Sequence, residues 1–137
     1  MYMSVNLDVR AIVEECSRAC EDDSLVFRRQ LAKLAAVSVE GYYADLRRSL
    51  KTYYLFGGDT TIEVVCRRID AAVARDFDPD SIVSAIHQSR TGACTYRRFC
   101  EQLMAAGCAG YFVSLMGRRV LYFSRSAETY VEFIPPY

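Results

Sequence analysis

Residues 41–54, GYYADLRRSLKTYY, return 69 positions later as GYFVSLMGRRVLYF at 110–123. Sliding the chain by that distance aligns 25–65 with 94–134 without a gap. The identical pairs are Arg28/Arg97, Arg29/Arg98, Leu34/Leu103, Ala36/Ala105, Gly41/Gly110, Tyr42/Tyr111, Leu46/Leu115, Tyr53/Tyr122, Thr60/Thr129 and Glu63/Glu132. Chance supplies roughly two or three matches in such a window, so the chain reads as a duplication. That reading constrains the fold strongly. One copy alone has a thin core, whereas two copies can share one.

Each copy reads as helix, helix, strand, strand, strand. Val9, Ile12, Val13, Cys16 and Cys20 recur at helical spacing after Asn6 or Asp8 as a cap, and EDDS at 21–24 ends that helix and offers Ser24 as the next cap. The second helix carries Phe27, Leu31, Leu34 and Ala35. In the second copy Asp78 caps a helix with Pro79 in its first turn, Ile82, Val83 and Ile86 form its stripe, and Gly92 ends it. Tyr96, Phe99, Cys100, Leu103 and Met104 form the last helix, closed by Gly107.

The period then switches to two. Tyr111, Val113 and Leu115 point one way, Phe112, Ser114 and Met116 the other. KTYYLF and RVLYFS are second strands, and Gly57-Gly58 marks a hairpin into TTIEVV. In the third strands Ile62 and Val64 match Val131 and Phe133, with Glu63 and Glu132 on the other face. The expected fold is α+β: an internal duplication of a helix-helix-strand-strand-strand unit, with antiparallel meanders packed with helices about a pseudo-twofold axis. Residues 1–137 are expected to form a single domain of two repeats, about 8–65 and 79–134, joined by a 66–78 connector that includes a short helix. Whether the strands form one sheet or two stays open at this point.

Composition narrows the function classes. Seventeen basic residues, fifteen of them Arg, balance seventeen acids, which argues against a nucleic-acid binder despite five Arg-Arg doublets. No apolar run approaches a membrane span, and the N-terminal stretch does not read as a secretory signal. The six cysteines include no CxxC pair, so they read as reduced apolar side chains of a cytoplasmic protein rather than as disulfides or a zinc site.

AAGCAGYFVSLMGRRVLYF, preceded by TYRRFCEQLM and followed by YVEFIP, resembles the YbcV-like bacterial and prophage family, some of whose members carry the label "phage envelope protein". YYADLRRSLKTYYL with GGD resembles that family's first half. The resemblance implies no established activity. Relatives in it carry His where this chain has Tyr43, and again at Thr61 and Tyr130, so any paired-histidine chemistry of the family is lost here.

His87 is the only histidine and reads as a surface residue, and neither nucleophilic triads nor nucleotide or cofactor fingerprints occur. No catalytic or metal residue is therefore assigned and no cofactor is expected. The candidate ligand-binding residues are Tyr43, Thr61, Glu63, Phe112, Tyr130 and Glu132: strand-borne aromatics and two carboxylates that the repeat places symmetrically. The leading expectation is a non-catalytic binding or interaction module that self-associates as a homodimer, with an unknown protein or small-molecule partner and no membrane. The alternative is a small-ligand binder or enzyme with its site on the pseudo-twofold axis.

Overall fold

The computed structural model describes residues 2–57 and 60–135, with side chains from Asp8 onward. The first half runs α1 (Tyr2–Glu21), α2 (Phe27–Ala36), β1 (Val39–Asp45), β2 (Leu50–Leu55) and β3 (Thr61–Val65). The second repeats that order as α3 (Pro79–Arg90), α4 (Tyr96–Ala105), β4 (Cys108–Ser114), β5 (Arg119–Ser124) and β6 (Thr129–Phe133). The strands form one antiparallel sheet in the order β3-β2-β1-β4-β5-β6.

The halves meet along β1 and β4, whose register is centred on Tyr43 opposite Phe112. Those two residues are themselves 69 apart, so the symmetry axis passes through this pair. The backbone carries the same symmetry where side chains differ. Positive φ recurs at Asp23 and Gly92, at Ser38 and Gly107, and at Ser49 and Arg118. The expected turn glycine Gly57 also has positive φ, and Gly58 lies outside the described residues.

Period-two burial sorts the sheet into two faces. Tyr42, Ala44, Tyr53, Ile62, Tyr111, Val113, Val120 and Tyr122 are buried and form the core with Val13, Leu31, Leu34, Ile82, Phe99 and Leu103 from the helices. Burying each of these large side chains stabilises the fold by about 1.5–3 kcal/mol. None of the described helices packs on the opposite face. Gly41 and Gly110 are needed there. A Cβ at Gly41 would stand 2.6 Å from the Val113 carbonyl oxygen and 3.0 Å from the Phe112 ring. One at Gly110 would meet the Ala44 carbonyl oxygen at 2.7 Å and the Tyr43 ring at 3.0 Å.

Several local expectations are corrected. The first helix starts at Tyr2 and runs through Asn6 and Asp8, so neither is a cap. Ser24 does not cap α2, whose N-cap is Val26 without a side-chain hydrogen bond. Val83 and Ala35 face solvent, while Gln30 is buried and donates from Nε2 to the Leu25 carbonyl oxygen at 2.7 Å. The connector contains no helix. It is pinned as irregular chain, with Ala74 N donating to Met104 O and Asp78 N to Ala106 O.

The largest correction concerns β6. Tyr53 pairs with Ile62 in the first half, but Tyr122 pairs with Tyr130 in the second, one residue earlier than the repeat predicts. The link from β5 to β6 is one residue shorter than that from β2 to β3. A one-residue slip turns every side chain of a strand to the other face. Val131 and Phe133 therefore lie on the open face, and Glu132 on the helix-covered face.

The α3 N-cap matches expectation. Asp78 accepts from Ser81 N and from the Ser81 hydroxyl, at 3.3 and 2.7 Å. The Ser81 side-chain hydrogen bond, then its backbone one, holds the carboxyl below the usual aspartate range. A depressed folded pKa adds stability above the unfolded value and loses it as pH falls through the folded one. Asp78→Ala is therefore expected to melt lower than the parent at neutral pH. The gap should close as pH drops below about 4, as thermal scans across that range will show.

Candidate functional site

The open face carries three cross-strand rows. The middle one runs Glu63, Thr52, Tyr43, Phe112, Leu121 and Val131 from edge to edge. Tyr43 stacks on Phe123 with centroids 5.7 Å apart, and Phe112 packs on Tyr54 at 6.0 Å. These are symmetry-equivalent pairs of half-buried rings. Exposed Phe133 flanks them, stacked under the Arg119 guanidinium at 5.1 Å. Of the predicted site residues, Tyr43, Phe112, Thr61 and Glu63 lie on this face. Tyr130 and Glu132 do not, and the two glutamates stand on opposite edge strands and opposite faces. They cannot act as a pair across the axis.

On the helix-covered side the axis passes through a cleft of about 880 Å³. Its walls come largely in equivalent pairs: Tyr42 with Tyr111, Phe27 with Tyr96, Leu25 with Cys94. Tyr96 and Tyr111 join hydroxyls at 2.8 Å. One wall is asymmetric. Arg90, whose counterpart in the first half is Glu21, donates from Nε and Nη2 to Glu132 Oε2 and Oε1 at 2.8 and 2.9 Å. Tyr122 donates to the same Oε1 at 2.8 Å, and the Arg90 guanidinium lies 3.9 Å from the Phe27 ring centroid. Glu132 thus serves as the fixed counter-charge of Arg90. His87 is exposed and lies outside both regions.

Lys51 is the residue that sequence reasoning passed over. It alternates with Tyr53 on the inward face of β2, at the position that Val120 fills in the other half. That lysine-for-valine difference at a core position was the available signal. Lys51 is 3% exposed, and its Nζ lies 4.7 Å from the Tyr96 ring centroid and 5.9 Å from that of Tyr42. Burial opposes its charge. The Cys20 thiol and the phenols of Tyr53, Tyr111 and Tyr42 are its polar neighbours. Those neighbours stay neutral at pH 7. Burial pushes Tyr53 up to about 12 and also raises Cys20, Tyr42, Tyr96 and Tyr111.

The cysteines are all free thiols. Burial pushes Cys100 up to about 12 and Cys108 to about 11, which removes the thiolate that reactivity needs. Among the described residues no cluster of His, Cys, Asp and Glu could hold a metal ion, and no helix is long and apolar enough to cross a membrane.

Fold and site together define an α+β protein with an aromatic open sheet face and an axial cleft beneath its helices. By sequence, the chain belongs to the family described as protein of unknown function DUF1398, whose model matches residues 19–132. No curated protein matches it.

Proposed function

We propose that the protein is a non-catalytic interaction module that pairs with a second copy of itself through the open sheet face. The observation that carries this reading is the ring cluster of Tyr43, Phe112, Tyr54 and Phe123, centred on the symmetry axis of a face that no described helix covers. Six strands about 4.8 Å apart and some 17 Å long offer roughly 1,000 Å² from two copies, the lower bound for a specific interface. Sheets pack face to face with their strands nearly aligned. Setting β3 of each copy over β6 of the other brings Glu63 of one near Arg119 of the other, whereas β3 over β3 opposes the two glutamates. Charge favours the first arrangement. The GCAGY and GRRVLYF blocks support placement with YbcV-like bacterial and prophage proteins, and the free thiols support a reducing, cytoplasmic setting.

The axial cleft favours a second reading, a small-ligand binder, because its volume falls within the range of ligand pockets. Native mass spectrometry of the full chain separates the two. The expected result is a bare dimer that Leu121→Glu converts to a folded monomer, since Leu121 is 37% exposed in the middle row of the face, beside Phe112. A monomer carrying an extra mass would support the cleft reading instead. A bare monomer at high concentration would overturn both.

A further inference from the structure

Lys51 and Arg90 both extend on the helix-covered side of the sheet, and they differ in one respect. Arg90 is matched by the Glu132 carboxylate. Lys51 is the more deeply buried, and among the described residues no carboxylate lies within ion-pair distance of it. A buried ammonium without a counter-charge is costly. The thiol and phenols around it are neutral at pH 7, so none of them supplies an anion.

Lys51 also lines a separate cavity of about 70 Å³, and Tyr96 forms part of the same wall. Ala44, Leu46, Ile69 and Cys100 make other parts of the wall apolar. Two carboxylates reach it, and both are engaged by arginines: Glu21 by Arg67, itself on the wall, at 3.2 Å and Asp45 by Arg48 at 3.4 Å; Arg68 and Arg97 stand at the wall as well. The enclosed space is small and suits a carboxylate group with a short hydrocarbon stub better than a nucleotide or a sugar phosphate.

We propose that this cavity binds a short-chain monocarboxylate, with the Lys51 ammonium as its counter-charge and the apolar wall receiving the hydrocarbon end. The site stands apart from the open face, so its failure and that of the self-association surface are distinguishable.

The test titrates the full chain at pH 7 with sodium acetate, with acetamide as the neutral isostere and sodium chloride at matched ionic strength. Amide spectra and melting temperature are followed together. Acetate is expected to shift the amides of Ala44 and Cys100 saturably and to raise the melting temperature, while acetamide and chloride do neither. Lys51→Met is expected to melt higher than the parent without acetate and to bind acetate at least about tenfold more weakly, the loss of one charge-assisted contact. Equal responses to acetate and chloride, no acetate response, or an undiminished response in Lys51→Met would each overturn the proposal. Should Lys51→Met fail to fold, the comparison of acetate with acetamide on the parent chain decides alone.

Discussion

Gly107→Ala is expected to cost about 3–5 kcal/mol in urea unfolding, far more than the roughly 1 kcal/mol usual for a residue forced into the left-handed region. Gly107 sits where α4 turns into β4, at φ +88°. A Cβ there would stand 2.2 Å from the Asp76 carbonyl oxygen, 2.8 Å from its carbon and 2.9 Å from Phe77 Cα, all of them backbone atoms. The connector cannot retreat, because Ala74 N and Asp78 N are tied to the last turn of α4 on either side of the clash. Ser38 occupies the equivalent place at φ +64°. Ser38→Gly should therefore stabilise the protein by about 0.5–1 kcal/mol. If Gly107→Ala proves as mild as an ordinary helix-end substitution, the connector does not press on this joint as described.

Glu132→Gln should lower stability by about 1–3 kcal/mol, while Glu63→Gln stays within about 0.5 kcal/mol of the parent. The Glu132 side chain is 14% exposed and that of Arg90 26%. Removing the carboxylate leaves a largely desolvated guanidinium without its charged partner, though some solvent screening remains. Glu63 is exposed on the open face at the sheet edge. A urea-unfolding double-mutant cycle with Arg90→Gln should return most of the Glu132 effect as coupling. Equal losses at the two glutamates would mean that β6 holds the unslipped register instead.

The repeat made most of the architecture legible. Gly41/Gly110, Tyr42/Tyr111 and Tyr53/Tyr122 mark the close approach at the seam and the buried side of the sheet, and these pairs do the same job in both copies, whereas Glu63 and Glu132 do not. What escaped the sequence follows from what an ungapped alignment cannot register. The β6 slip arises because Thr129, the counterpart of the turn residue Thr60, is drawn into the strand, a change of register that leaves no gain or loss of a residue to see. The caps failed at Asp8 and Ser24 because polar residues that suit a cap also suit an exposed helix turn or loop, and Asn6 lies within α1. The connector reads as helical in composition, yet its hydrogen bonds to α4 hold it out of that state. For the site, the aromatic half was legible through Tyr43 and Phe112. The buried charge left no such mark, because Lys51 stands at a position where the two copies differ, opposite Val120 in the repeat.

A seam centred on equivalent residues is what an isologous dimer possesses, each subunit offering the same strand to its mate. Here both mates lie on one polypeptide. In a true dimer every substitution is imposed twice, once on each side of the axis. Covalent linkage removes that obligation and lets one half specialise while the other keeps the scaffold. The departures from symmetry then become a map of specialisation: lysine against valine in the core, arginine against glutamate at the cleft, and a shortened turn that swings one carboxylate inward.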